Sequence, residues 1–220
     1  CRTTLRPGDI LPGERILEET YGVSRITVRR AIGDLVAEGR LRRVRGKGTF
    51  VAPNPLVSHL HLASFSDEMG NQQLAASSRI LLGERASAPE EVCAFFDTEA
   101  TVAHTHLRRL RLGDGEPYAI DDAWYNSSFA PSLLENDIYN SVYAILDETF
   151  QVPITDAEQT VTAIGADEEI AALLDVSAGT PLLHITRFAR SGDRPVEWCS
   201  SVYRTDRYHL TTQVTRSAEK

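Results

Sequence analysis

The chain has 220 residues and a formal net charge of −8, from 23 Lys and Arg against 31 Asp and Glu. Hydrophobic content of 42% and charged content of 25% exclude a disordered or fibrous protein, and no apolar run reaches the ~18 residues that a membrane span needs. Three cysteines are too few for a disulfide scaffold and fit a reducing, cytoplasmic setting. At ~100–200 residues per domain, the length suggests one or two domains. The chain starts at Cys1 rather than Met, which points to a segment upstream.

Charge is unevenly spread. Residues 1–55 hold eleven basic and six acidic side chains, a balance of +5, so the remainder carries −13. Such asymmetry suggests a basic nucleic-acid-binding module fused to an acidic domain with another task. A solvated basic face is the plainer alternative. Pro53-Asn54-Pro55 interrupts both helix and ladder hydrogen bonding. It divides a first domain, 1–52, from a second, 59–220, by a linker over 53–58.

In chain order, Pro7-Gly8-Asp9 reads as a turn. Gly13–Glu19 is a short helix closed at Gly22. Ser24 is a good N-cap for a helix from Arg25 to Glu38, which Gly39 ends. Val28, Ala31, Ile32, Leu35 and Val36 form its one apolar stripe. Arg25 and Arg29 are four apart and share an exposed face, with Thr27 and Arg30 beside them. Two helices joined by Tyr21-Gly22-Val23-Ser24 make a helix-turn-helix, whose second helix can enter a major groove. Arg40–Val44 and Thr49–Val51 are short strands around a basic, glycine-rich tip, Arg45-Gly46-Lys47-Gly48.

After residue 60 the pattern is mixed. Strands are expected at Arg79–Arg85, Val102–Leu112, Glu116–Tyr125, Thr155–Ala163, Leu182–Arg190 and Val196–Tyr203, the last two joined across Ser191-Gly192-Asp193-Arg194. Helices are expected at Pro89–Phe96, Ser141–Phe150 and Asp167–Leu174. Strands joined by hairpins predict an antiparallel sheet of the α+β class.

Arg109 and Arg111 are two apart and share one strand face, as do Glu197 and Tyr203 on a later strand. Ser141 or Asn140 caps a helix whose free N–H groups could accept a phosphate. From pattern alone, a surface charge ladder and an ordinary N-cap explain these residues better than an anion site does. His59/His61 and His104/His106 are spaced to present two imidazoles on one strand face, but no further metal ligand is obvious nearby. Cys93 and Cys199 read as packed thiols. No nucleophile elbow, P-loop or paired acid/base signature is present, so neither a cofactor nor a metal is expected.

Three segments resemble the DNA-binding domain of GntR-superfamily transcription regulators: Leu11-Pro12-Gly13-Glu14-Arg15, Val23 to Ala31, and Gly46-Lys47-Gly48-Thr49-Phe50-Val51. The resemblance implies a winged helix-turn-helix. Arg15, Arg25, Thr27 and Arg29 would contact an operator duplex, with the wing around Lys47 and Gly48 in the minor groove. The family begins with a further helix, and little chain precedes Pro7.

Further segments resemble a UTRA domain, the effector domain of the HutC branch, which shares the chorismate-lyase-like fold: His61 to Met69, Arg109-Leu110-Arg111-Leu112, Gly115-Glu116-Pro117, Ser141-Val142-Tyr143, Pro195-Val196-Glu197-Trp198, Tyr203-Arg204 and Asp206-Arg207-Tyr208. The pattern is similar to that of the amino-sugar-responsive, NagR/DasR-like repressors. This implies a homodimeric repressor controlled by glucosamine 6-phosphate or N-acetylglucosamine 6-phosphate. By position, Ser66, Arg109, Arg111, Ser141 and Tyr143 would hold the phosphate, and Asp121, Glu197 and Tyr203 the sugar. Position 121 is Asp where these relatives usually carry Glu, and Gln73 stands where a Gly is usual. The rival readings are an enzyme of the chorismate-lyase-like fold and a regulator that responds to a different small ligand.

The charges can share a site only if the hairpin at Gly113-Asp114-Gly115 has the right parity. A three-residue loop ending on Gly115 is expected. It opposes Arg111 to Pro117 and Arg109 to Ala119, and turns Asp121 to the same face as both arginines.

Overall fold

Two compact units divide the chain, residues 1–55 and 56–220. The computed structural model describes all residues except 1–4, 6–7, 38–39, 45–46, 52–55, 59–63, 72 and 213–220, and leaves aside the side chains at 37 and 56–58. The proline linker, Gly39, the wing residues Arg45 and Gly46, and the His59/His61 pair lie outside the described residues.

The first unit holds α1 (Glu14–Tyr21), α2 (Arg25–Ala37), β1 (Leu41–Val44) and β2 (Gly48–Val51). Gly22 ends α1 in the left-handed region, at φ 65°, where its N–H reaches the carbonyl of Glu18. Ser24 caps α2 by accepting from the Thr27 N–H at 3.3 Å. Val28, Ile32 and Leu41 are buried, with Leu11, Leu17, Leu35, Val36 and Val51 packed around them. Ala31, expected in that stripe, is exposed. It projects from the flank of α2, where no described element covers it. β1 and β2 pair antiparallel from Leu41 opposite Val51.

The second unit is built on six antiparallel strands: β4 (Ala76–Ser87), β5 (Ala103–Gly113), β6 (Glu116–Tyr125), β7 (Asp156–Gly165), β8 (Pro181–Ser191) and β9 (Arg194–Arg204). Their order across the sheet is β4-β5-β6-β9-β8-β7. Helices α3 (Phe65–Asn71), α4 (Glu90–Phe96), α5 (Val142–Glu148) and α6 (Glu168–Leu174) cover it. Two short strands, β3 (Leu56–Ser58) and β10 (Tyr208–Leu210), pair in parallel. Neither is expected from sequence, and residues 56–58 are strand rather than linker. The β8–β9 turn has two residues, Gly192-Asp193, instead of four, because Ser191 and Arg194 still pair. Gln73 adopts φ 60°. That left-handed geometry explains a preference for Gly at this place.

The β5–β6 hairpin departs from the expected loop. Gly113 pairs with Glu116 and Leu112 with Pro117, so the turn is the two-residue Asp114-Gly115. A bulge then makes Arg111 pair with Ala119, leaving Tyr118 extra, and brings Arg109 directly opposite Asp121. The loop length differs from the expectation, yet the parity is the one the shared face requires. Leu110 and Ile120 lie on the other face, buried against Ala171 and Leu174 of α6 with Leu112 beside them.

The site face can be read as cross-strand rows over β5, β6, β9 and β8. One row is Arg111–Ala119–Tyr203–Leu183; the next is Arg109–Asp121–Ser201–Ile185; the third is Leu107–Ala123–Cys199–Arg187. Glu197 follows on β9, opposite Tyr125. Val142 and Leu146 of α5 are buried over this face in one cluster with Leu107, Ala123 and Tyr125.

His104 is buried against Phe96 of α4. Its Nδ1 accepts from the Ser127 N–H at 3.3 Å, and its Nε2 lies 3.0 Å from the Thr98 hydroxyl. Burial, then the charge of Arg85, holds its pKa below the ordinary value of 6.5. The unfolded chain therefore binds a proton, as pH falls through about 6.5, that the folded imidazole refuses. Thermal melts should show stability lost below that pH. His104→Asn keeps an acceptor near Nδ1, and should melt lower at neutral pH with a flatter acid dependence.

Candidate functional site

A cavity opens on the site face between the sheet, α3 and α5. Seven of the eight side chains expected from sequence line it: Arg109, Arg111, Asp121, Ser141, Tyr143, Glu197 and Tyr203. The eighth, Ser66, stands behind the wall and accepts from Arg111 Nη2 at 3.3 Å.

The two arginines are almost wholly buried. Arg109 Nη1 donates to the carbonyls of Ile138 and Asn140, each at 3.3 Å. Arg111 Nη1 donates to the Ser78 hydroxyl at 2.8 Å, and its guanidinium lies over the Phe65 ring at 4.6 Å. Both share one carboxylate: Asp121 Oδ2 is 3.7 Å from Arg109 Nη2 and 3.5 Å from Arg111 Nε. Asp121 Oδ1 accepts from the Ser201 hydroxyl at 2.8 Å. The Nε atoms of both arginines are buried with no hydrogen-bond partner among the described residues. Burial, reinforced by the charge of Arg109, pulls Arg111 down to about 10. Two cations sharing one counter-anion, with donors to spare, suit a doubly charged oxyanion.

The sugar-side residues form a second cluster. The Tyr143 hydroxyl donates to Glu197 Oε2 at 2.6 Å and accepts from Arg187 Nη1 at 3.3 Å. Tyr203 stacks on Tyr208 with centroids 4.1 Å apart. Burial, and then neighbouring carboxylates, push both Tyr143 and Tyr203 well above the usual phenol range. They therefore stay as neutral hydroxyls. Ser141 caps α5 through the Ala144 N–H at 3.3 Å and donates to the Ser64 hydroxyl at 3.3 Å.

Ser64, Phe65, Arg187 and Ser201 also line the cavity and are absent from the sequence reading. Arg187 carries a readable signal, an arginine at the same parity as Leu183, Ile185 and Ala189. Ser64 caps α3, accepting from the Asp67 N–H at 3.2 Å, a link visible only once α3 is placed. The cavity volume is about 40 Å³.

The remaining candidates are satisfied in other ways. His106 Nε2 meets Asp122 at 2.6 Å and stacks on Trp124. No cluster of metal ligands occurs among the described residues. Cys93 donates to the Ala88 carbonyl at 3.4 Å, and Cys199 sits beside the Ser201 hydroxyl at 3.3 Å.

In the first unit, Arg25 Nε donates to Glu14 at 3.1 Å and Arg29 Nε at 2.9 Å, so one carboxylate aligns both guanidiniums. The hydrogen bond from Arg25, aided by that from Arg29, holds the Glu14 carboxyl below its usual range. Thr27 contacts the Ser24 hydroxyl at 2.9 Å, and Arg15 pairs with Glu19 at 3.1 Å. Lys47 and Gly48 are exposed in the wing, with Gly48 at φ 125°. All six residues expected to meet DNA are in reach of solvent.

An arginine-faced helix-turn-helix, joined to a sheet unit with a buried, cation-lined cavity, defines a ligand-responsive DNA-binding regulator. Residues 1–51 match the model of the bacterial regulatory proteins of the gntR family, and residues 71–209 that of the UTRA domain. The chain is 33% identical to the HTH-type transcriptional repressor NagR of Bacillus subtilis, over 93% of this chain and 85% of that one. It is 34% identical to the probable fructoselysine utilization operon transcriptional repressor of Escherichia coli, with the same two coverages. It is 31% identical to the histidine utilization repressor of Pseudomonas putida, over 93% of this chain and 82% of that one. The crystal structure of PhnF from Mycobacterium smegmatis superposes with a TM-score of 0.71 at 27% identity, covering 97% of this chain and 95% of that one. The chain belongs to the GntR family, as a HutC-type transcriptional repressor with a UTRA domain. The family and these relatives are transcription regulators, not enzymes.

Removing the shared carboxylate tests the electrostatics of the cavity. Asp121→Ala leaves two buried guanidiniums uncompensated and should cost about 3 kcal/mol in a denaturant titration. Inorganic phosphate should recover part of that loss in the variant, more than it stabilises the parent chain.

Proposed function

We propose that this repressor is controlled by a phosphorylated amino sugar, glucosamine 6-phosphate or N-acetylglucosamine 6-phosphate, bound in the UTRA cavity. The observation that carries the reading is the pair of buried guanidiniums, Arg109 and Arg111, which share one carboxylate between two positive charges. Ser141 and Tyr143 complete the phosphate seat, Ser66 steadies Arg111 from behind it, and Asp121, Glu197 and Tyr203 supply acceptors and hydroxyls for the sugar. The similarity to NagR supports the same ligand class. The working form is a cytoplasmic homodimer, with an N-terminal DNA-binding domain and a C-terminal effector domain that includes the strand at residues 56–58. Arg15, Arg25, Thr27 and Arg29 meet the major groove of the operator, and Lys47 and Gly48 the minor groove.

Isothermal titration of the full chain with either sugar phosphate should saturate, and Arg111→Ala should abolish binding while leaving DNA affinity intact. Absence of binding to every phosphorylated amino sugar tested would sink the effector class. On a duplex selected from a random library, Arg25→Ala and Arg29→Ala should each lose roughly 1–3 kcal/mol of discrimination. Lys47→Ala should weaken binding evenly and lower its salt dependence. Unchanged affinity in both arginine variants would remove α2 as the reading helix.

A further inference from the structure

We propose that the cleft between α2 and the wing seats one sugar-phosphate strand of the operator, and that Arg43 fixes that strand by binding a phosphate. The inference rests on the placement of α2 in the major groove and the wing in the minor groove, and adds a contact that belongs to neither groove.

The position of Arg43 follows from the hairpin. Side chains two apart on a strand share a face, and Leu41 is buried with Val28 and Ile32 of α2. Arg43 is therefore on the helix side of β1, one step beyond the core, with Thr49 opposite it on β2. Arg43 and Thr49 line one cleft with Arg29 and Ile32 of α2, and Ile10 and Pro12 add apolar wall. The cleft has a braced side. The Leu11 N–H donates to the Thr49 carbonyl at 2.7 Å and the Val51 N–H to the Asp9 carbonyl at 2.8 Å. Residues 9–11 thus run along β2, with Ile10 bridged to Phe50, and hold the wing at a set distance from α2.

The charges of the cleft are unequally engaged. Arg29 Nε donates to Glu14, which also takes a bond from Arg25. Glu14 lines the cleft too, but its charge is already shared between those two guanidiniums. Arg43 is exposed, and no hydrogen bond or ion pair engages it among the described residues. The cation left for a ligand is Arg43.

Duplex geometry supplies the occupant. A single sugar-phosphate strand separates a major groove from the minor groove beside it. A protein with a helix in one and a wing in the other straddles that strand, and the space between α2 and the wing is this cleft. Ile10 and Pro12 suit the apolar faces of deoxyribose, and Arg43 suits a phosphate oxygen. Such a contact reads no base but sets the register, and so decides which bases Arg25 and Arg29 meet.

The test uses a duplex selected by the full chain from a random library, a scrambled duplex, and copies of the selected duplex with single phosphates replaced by neutral methylphosphonates. Arg43→Gln should weaken the selected and scrambled duplexes by the same factor, about fivefold, and lower the slope of log affinity against log salt by about 0.9. Arg43→Lys keeps the charge and should hold the parent slope. One methylphosphonate, on the strand between the two grooves, should weaken the parent and leave Arg43→Gln unaffected. An unchanged salt slope in Arg43→Gln overturns the assignment. So does a series in which every methylphosphonate weakens Arg43→Gln as much as the parent. A loss confined to the selected duplex would make Arg43 a reader of bases and overturn its phosphate role. Each of these outcomes leaves α2 standing as the reading helix, which Arg25→Ala and Arg29→Ala test separately. If the chain selects no duplex at all, the DNA-binding reading fails and this inference with it.

Discussion

The cavity depends on one unpaired residue. With the two-residue turn at Asp114-Gly115, simple alternation places Asp121 on the opposite face from Arg109. The bulge at Tyr118 restores the parity, and a buried carboxylate comes to rest between two buried guanidiniums. A bulge interrupts the ladder and survives where packing holds it. Here the extra residue is a fully buried tyrosine, edge-on to Phe65 at 6.4 Å, with Arg207 over its ring. Gly113 leaves that ring its room: a Cβ there would stand 2.9 Å from Tyr118 and 3.1 Å from Met69. The same Phe65 lies under Arg111. Bulge, aromatic anchor and phosphate-side arginine thus form one packed unit, and none is independent of the others.

That unit sets the electrostatic character of the whole site. Three guanidiniums and two carboxylates face one small cavity. Buried ion pairs seldom recover the full cost of leaving water, and the Arg109 Nε, with no hydrogen-bond partner among the described residues, adds to it. A sheet that folded only for stability would place apolar side chains at these positions, as it does at Ala119, Ala123 and Ile185 in the same rows. The polar groups are retained at a thermodynamic cost, which an anion bound among them would offset.

Much of the architecture is legible in the sequence because it is written locally. β6 begins and ends where alternation predicts, at Glu116 and Tyr125. The caps at Ser24, Ser141 and Asp167 mark three helix starts through side-chain oxygens placed three residues before the N–H they satisfy. The bulge is not legible, because its parity is decided by how Tyr118 packs against α3. β3 and β10 are three residues each and pair across some 150 positions of chain, too short for any periodicity to emerge. Arg187 escapes for a related reason. Its guanidinium is explained by Gln159 and Tyr143, 28 and 44 residues away, and only the strand order brings them together. Ala31 is misjudged because helical spacing finds an apolar stripe but not the width that neighbouring elements cover.

Control of DNA binding requires only that ligand binding favour one arrangement of this domain over another, by the coupling free energy between the sites. That quantity is typically about 1–3 kcal/mol, comparable to one or two hydrogen bonds at about 0.5–1.5 kcal/mol each. The cavity contains bonds of that size in a connected series. Ser64 and Ser141 join α3 to α5, Tyr143 joins α5 to Glu197 on β9 and Arg187 on β8, and Gln159 extends the series to β7. A phosphate that drew the Ser141 and Tyr143 hydroxyls toward Arg109 and Arg111 would exchange the first two links for bonds to the ligand. Glu197 and Arg187 would then turn to the sugar. The strands are held by their ladders, so the helices are the elements with freedom to respond. A signal started by such a ligand would therefore begin at α3 and α5, where the hydrogen bonds it could replace join the two helices and tie α5 to the sheet.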